Sequence, residues 1–426
     1  MAFRMIMLFG IVVADTWLVA TLGEQSVAAM GLADAIGGLL LGAQNAFSNG
    51  AQILVARAWG SGKAAALKNA FVSSIVINLC VCCLGLLLLF GFGDVALRGT
   101  AQTPEVYAQA RIYLLIFTGV IVAESLGQSL SAFFNGCGDT RSPLYSYLIS
   151  VPVNLLLSYA LIHGLFGLPQ MGLAGAAIGS VVGAVLRTGY LIYCVRRLQA
   201  DWKNEALVRF KSVLWAQLKF ALPIAATFFS ARASTTACTF IAASYDVYQF
   251  AALTLIQPWI QVVGTLGMAW AQATGIVVAQ KLGRDDDWPD QVAFLRMVWK
   301  GAFITAFIVS AIYLAVVLSA DAFYAALDGK TKTVLLTFIP VLLLLPWPKN
   351  SNAICGNTLR AAGRAVYVMN IFLASQWLFK VPAMAFVVLY LQAPVAWALA
   401  LFLVEELVKF PPFHWPVPRW FKERIG

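Results

Sequence analysis

Apolar runs of about 20 residues recur from one end of this chain to the other, and that recurrence limits its fold more than any motif does. Backbone at membrane depth has no water to satisfy its N–H and C=O groups, so a spanning segment must be a helix or part of a closed barrel. The runs are too long and too continuous for barrel strands. Only 11% of the residues are charged and 61% are hydrophobic, against roughly 25% charged in an ordinary soluble domain. Most of the surface must therefore face lipid, and the chain reads as an all-α integral membrane protein.

Twelve spans are expected, at 3–22, 31–56, 70–92, 107–134, 143–163, 172–195, 214–243, 249–280, 293–319, 331–349, 365–391 and 393–410. The first lacks a short apolar core followed by a small-residue cleavage site, so it reads as a retained helix whose N-terminal flank is cut short. Lys and Arg accumulate in cytoplasmic loops. Here they cluster after even-numbered spans, as Arg57, Lys63, Lys68, Arg141, Arg196, Arg197, Lys203, Lys281, Arg284, Arg360 and Arg364, and again in the C-terminal tail. The alternate loops hold little beyond Arg98, Arg111, Lys330 and Lys332. Both termini are thus expected in the cytoplasm of a multi-pass plasma-membrane protein, a bacterial inner membrane being the setting. This asymmetry accounts for the formal charge of +10, with membrane lipid as a partner and no need for nucleic acid.

Soluble chemistries find little support. The seven cysteines lie in or beside apolar runs with no pair of separated CxxC motifs, and there are only two histidines, His163 and His414, so no metal site is expected. GSGK at 60–63 lacks the GxxxxGK frame and the following Ser or Thr of a phosphate loop. No Ser or Cys has an evident His partner, because His163 falls at an outer loop and His414 in the proline-rich tail. The chain is not expected to be an enzyme.

The longest polar interruption, RRLQADWKNEALVRFK at 196–211, divides the spans six and six. VARAWG at 55–60 falls on VAQKLG at 278–283, and the same register sets LVATLGEQSVAA at 18–29 on IAASYDVYQFAA at 241–252. GCGDTR at 136–141 likewise lies near RAAGR at 360–364. The halves read as a duplication. The expected organisation is an N-lobe at 1–195, a cytoplasmic linker at 196–213, a C-lobe at 214–410 and a tail at 411–426. An even number of spans per half gives parallel repeats, an architecture that places a cavity between two rocking lobes.

Five stretches carry a likeness that runs through both halves in order: ADTWLVATLGEQSVAAMGLA at 14–33, GAQILVARAWGSGK at 50–63, FFNGCGDTRSPLYSYLISVPVNLLL at 133–157, ALPIAATFF at 221–229 and NTLRAAGRAVYVMNIFLASQWLFKVP at 357–382. Together they resemble the multidrug and toxic compound extrusion (MATE) family. The resemblance implies twelve helices in two pseudo-symmetric six-helix lobes, and efflux of small organic molecules in exchange for protons or sodium ions. No cofactor is implied, and the chain is expected to act as a monomer.

Within that resemblance Asp15 occupies the position of the acid that serves as the N-lobe cation or proton site. Asn154 in VPVNLLLSY matches an Asn beside it, and Ser180 in GLAGAAIGS is the nearest match to a small hydroxyl residue that completes the pocket. Ser158 stands where some members carry a second acid, a departure that weakens a sodium site, since sodium wants several oxygen ligands. The residues support this independently. A charged Asp in a spanning run costs about 2.5 to 3.5 kcal/mol or more and is functional by default. Asn154 and Ser158, four apart, share a helix face and could receive the Asp15 side chain. The other reading of Asn154, Ser158 and Ser180 is helix packing by small and polar residues.

Further cavity candidates are Asp34, Glu124, Arg232, Gln257, Gln261 and Lys380. Asp34 is expected in the first turn of the second helix, where an acid suits the helix dipole. Glu124 either pairs with an N-lobe polar group or faces the cavity. Gln257 and Gln261 flank Pro258, which frees a carbonyl in the preceding turn. Sodium-coupled relatives carry acids near the positions of Ser230 and Lys349, so the resemblance implies no acidic cation site in the C-lobe. Arg232 and Lys380 lie inside apolar runs and need an anionic partner: Glu405, Glu406, a lipid headgroup or an anionic part of the cargo. The leading expectation is proton-driven export; the alternatives are sodium coupling, or a lipid or polysaccharide flippase of the same superfold.

Overall fold

The computed structural model describes residues 2–101, 103–198, 205–207, 209–284, 291–320 and 329–417. Twelve helical stretches fall on the twelve expected runs: α1 (Ala2–Ala20), α2 (Glu24–Gly60), α3 (Ala64–Thr100), α4 (Pro104–Gly136), α5 (Arg141–His163), α6 (Leu173–Arg197), α7 (Phe210–Ala242), α8 (Val247–Arg284), α9 (Gln291–Leu318), α10a with α10b (Gly329–Thr337 and Ile339–Ala361), α11 (Ala365–Tyr390) and α12 (Val395–His414). Among the described residues nine are long and apolar enough to cross a membrane by themselves, and the α10a–α10b pair, bent by 40°, makes a tenth. Pro340 sits at the bend, where its missing N–H removes a helical hydrogen bond.

Several helices outrun the apolar stretch that marks them, because backbone hydrogen bonding continues into the polar interface. α2 starts at Glu24, so Asp34 lies well inside the helix and not in its first turn, and the dipole argument for it fails. α10b runs on to Ala361, so Arg360 is in its last turn. α12 continues through Pro411 and Pro412 to His414, shortening the expected tail, of which 418–426 lies outside the described residues.

The chain separates into two compact units, Phe3–Ala225 and Ala226–Gly426, the division falling inside α7. The first part of α7 packs on the first unit: a Cβ added at Gly50 of α2 would meet Ala221 Cβ at 3.0 Å and Ile224 Cδ1 at 3.3 Å. Of the expected 196–213 linker, 199–204 and 208 lie outside the described residues.

The repeat is visible in backbone geometry. α4 ends with Gly138 at φ 88°, its N–H bonded to Asn135 O at 3.0 Å and the Asp139 N–H to Phe134 O at 2.9 Å. α10b ends identically, with Gly363 at φ 86°, Gly363 N–H to Arg360 O at 2.9 Å and Arg364 N–H to Leu359 O at 2.9 Å. Both are left-handed caps that satisfy the orphan carbonyls of a helix end. The starts of α2 and α8 also correspond, Val27 N–H bonding Gly23 O and Phe250 N–H bonding Asp246 O. Asp246 adds a carboxylate that accepts the Gln249 backbone N–H and side-chain amide, both at 2.8 Å; these bonds hold it below the usual carboxylate range.

In the first unit α5 and α6 touch along a stripe of glycines. A Cβ at Gly175 would lie 2.8 Å from Leu161 C, one at Gly179 2.1 Å from Ser158 Oγ, and one at Gly183 2.9 Å from Asn154 Cβ. In lipid, helices associate by close van der Waals approach and polar contacts, and small residues permit both. One buried ion pair then ties α4, α5 and α6 together. Arg187 of α6 bonds Glu124 of α4 and the Tyr147 hydroxyl of α5, its guanidinium carbon 4.7 Å from the Tyr147 ring centroid. Gln128 Nε2 donates to Glu124 Oε2 at 3.0 Å. Gly127 makes the room: a Cβ there would stand 2.9 Å from Arg187 Nη2 and 2.7 Å from Thr188 Oγ1.

Gly179→Val is expected to lower the melting temperature of the detergent-solubilised protein, overpacking costing about 1 to 3 kcal/mol. Gly189→Val on the same helix, with nothing within 4 Å, should leave it nearly unchanged; equal effects would refute the close-contact account. Arg187→Met alone strands a buried carboxylate and should cost about 3 to 5 kcal/mol. The double variant Arg187→Met with Glu124→Gln should regain most of that loss in the same assay.

Candidate functional site

Asp15 sits half-buried in the C-terminal half of α1. α6 brings Ser180 to it, Ser180 Oγ donating to Asp15 Oδ2 at 3.5 Å. Asp15 Oδ1 is buried with no hydrogen-bond partner. Asp34 of α2 is close enough to act on Asp15 electrostatically. The hydroxyl of Tyr113 on α4 donates to Asp34 Oδ1 at 3.4 Å and lies in the field of both carboxylates. Four helices thus converge on two acids and two hydroxyls. Two carboxylates within reach in a low-dielectric setting repel unless a cation joins them, and a proton is the smallest that does.

Asn154 and Ser158 are buried on α5 but form a pair of their own. Ser158 Oγ donates to Asn154 Oδ1 at 3.1 Å and lies 3.4 Å from Ala176 O of α6. The α6 glycines hold both side chains against α6, and neither bonds Asp15 in this structure. The sequence brought Asp15 together with Ser180 and left Asp34 outside the group; the structure adds Asp34 and Tyr113. Glu124, a cavity candidate, is committed to Arg187, the N-lobe pairing that was its other reading.

The second unit holds a lattice of buried charge. Lys380 Nζ lies 3.1 Å from Glu405 Oε2, and Lys409 Nζ lies 3.2 Å from Glu405 Oε1 and 2.7 Å from Glu406 Oε1. Asn352 Nδ2 donates to Glu406 Oε2 at 2.9 Å. Lys380 ends a π-helical run, Ala374–Lys380, inside α11. The same run turns Gln376 and Trp377 toward α7, where Ser230 Oγ donates to Gln376 Oε1 at 2.6 Å and accepts from Trp377 Nε1 at 3.0 Å. The charge of Lys380 is therefore met by Glu405, whereas Arg232 and Gln261 are exposed and Gln257 is half-buried.

Two participants, Arg187 and Lys409, escaped the sequence reading. Arg187, in VGAVLRTGYL, is a cation within an apolar run, the same signal that singled out Arg232 and Lys380. Lys409 falls at the end of the expected 393–410 span, and Lys349, named at the position of an acid in sodium-coupled relatives, at the end of 331–349. One expectation is overturned: a serine does have a histidine partner. α12 carries His414 to α10b, where Ser351 Oγ is 2.7 Å from His414 Nε2 and accepts from Trp299 Nε1 at 3.0 Å. Ser351 is buried, so the contact joins α9, α10b and α12. It was hidden because the proline-rich segment continues the helix.

The MatE family model matches residues 1–160 and 223–386. A probable multidrug resistance protein NorM of Oceanobacillus iheyensis is 27% identical over 224 residues, 51% of this chain and 48% of its own length. The probable multidrug resistance protein YoeA of Bacillus subtilis is 23% identical over 429 residues, 95% of this chain and 89% of that one. The chain thus spans about half the length of the first relative that it matches. A crystal structure of MATE in complex with MaL6 shares the fold at a TM-score of 0.85 and 16% identity, covering 98% of this chain and 94% of that one. With the family matched on both sides of the central polar segment, and the same twelve-helix fold beneath it, the chain belongs to the MatE family of multidrug and toxic compound extrusion proteins.

Proposed function

We propose that this protein is a secondary antiporter of a bacterial plasma membrane that exports small organic compounds in exchange for protons, with Asp15 as the proton carrier. The observation that carries the reading is the Asp15 carboxylate, held inside α1 with one oxygen bonded to Ser180 and the other buried without a partner. A group left half-satisfied in an apolar span gains most from a proton, and loses that gain when water reaches it. Asp34 of α2 brings a second carboxylate into the field of Asp15. The names of the relatives, probable multidrug resistance proteins, support the cargo class.

Protons are favoured over sodium because sodium wants several oxygen ligands. Asn154 Oδ1 already accepts from Ser158 and the Tyr113 hydroxyl bonds Asp34, which leaves Ser180 Oγ as the hydroxyl bonded to Asp15. One charge crossing about 100 mV supplies about 2.3 kcal/mol, enough to hold about a 50-fold gradient of cargo. The basic residues that follow even-numbered spans support cytoplasmic termini.

In sealed proteoliposomes an imposed pH gradient should drive dye movement by the wild type. Asp15→Asn should abolish it while the melting temperature stays near that of the wild type. Movement driven by sodium alone would overturn the coupling ion, and undiminished movement by Asp15→Asn would overturn the carrier.

A further inference from the structure

The charges gathered around Glu405 and Glu406 do not cancel. Two carboxylates, Glu405 and Glu406, face three lysines, and both are already used: Glu405 by Lys380 and Lys409, Glu406 by Lys409 and the Asn352 amide. The lysine left over is Lys349 on α10b. It lies in the field of all four charges, yet among the described residues no carboxylate stands within ion-pair distance of it. Its Nζ points at α8 where that helix is notched by glycine: a Cβ at Gly264 would be 3.4 Å from Lys349 Nζ and 3.5 Å from Tyr313 Oη. The next residue, Asn350, fills a second notch at Gly267, where a Cβ would fall 1.9 Å from Asn350 Oδ1. The Tyr313 hydroxyl at the same glycine donates to Ile260 O at 2.9 Å.

An ammonium held among apolar helices without a counter-ion is unfavourable, and removing one partner of a buried charge set leaves the rest strained in the same way. The lattice as built is one anion short. Lys349 is half-buried and not sealed, so the missing charge can come from a ligand. From this charge imbalance and the glycine notch beside it, we infer that Lys349 is a receptor for the carboxylate of a small organic anion. This deepens the export reading by adding organic anions to the cargo class and rests on that reading only for transport; binding stands by itself. Lysine suits the task as a compact charge on a flexible stem, one that meets a carboxylate without demanding the planar fork of arginine.

The test uses the full-length protein in lipid nanodiscs, with no gradient, and two probes built on one fluorophore: dansylglycine, which is anionic, and dansyl-ethylenediamine, which is cationic. Dansylglycine should bind saturably to the wild type, and Lys349→Met should raise its Kd at least about tenfold. Lys349→Arg, which keeps the charge, should stay within about threefold. The cationic probe should bind all three proteins alike. Lys349→Met removes an uncompensated charge, so its melting temperature should equal or exceed that of the wild type. Gly264→Leu, which fills the notch and spares the charge, should weaken dansylglycine as well. Failure of dansylglycine to bind, an unchanged Kd in Lys349→Met, or equal losses for both probes would overturn the inference. If dansylglycine binds through Lys349 while no gradient drives transport, the export reading fails and this one stands.

Discussion

Inside hydrocarbon there is no water to complete a polar group, and the architecture of both units follows from that shortage. Each buried charge or amide must be met by another side chain, and bringing two polar side chains together between helices needs space. The space comes from glycine. Gly127 admits Arg187 on its way to Glu124, Gly179 and Gly183 admit Ser158 and Asn154, and Gly267 admits Asn350. At these positions the polar contact and the glycine opposite it are one device.

A duplicated backbone has been given opposite chemistry in its two copies. The turns after α4 and α10b share the same cap, bond for bond, and the starts of α2 and α8 make the same first hydrogen bond. Yet the first unit gathers two acids, Asp15 and Asp34, around hydroxyl donors, while the second gathers lysines in excess of glutamates. Backbone geometry is held by hydrogen bonds that any sequence of the right pattern can make. Side chains inside the spans are free to diverge so long as most of each unit's buried polar groups find partners.

The two units also treat their ionic groups differently. In the first, Glu124 and Arg187 neutralise each other and lock three helices, which leaves Asp15 as the incompletely bonded acid. In the second, the π-helical turns of α11 spend extra backbone to swing Lys380 onto Glu405 and Gln376 onto Ser230. A regular helix would set these side chains a fraction of a turn away. Irregular helix is therefore found where side chains from α7, α11 and α12 converge.

The number of spans, their order, their helical nature and the duplication were legible in the chain itself, because apolar length and repeat register are local properties that lipid enforces on any fold. Asp15 was legible for the same reason, an acid in a run that excludes water. Asp15 with Ser180 and Lys380 with Glu405 were among the expected pairs, but most pairing was not legible. That Glu124 meets Arg187, that Asp34 joins Asp15, that Asn154 and Ser158 satisfy each other, that His414 reaches Ser351 and that Lys349 stands near Glu405 and Glu406 without pairing with either all depend on which helix faces cross. Helix rotation and approach are set by glycine notches and side-chain packing between segments far apart in the chain, and only the tertiary structure decides them.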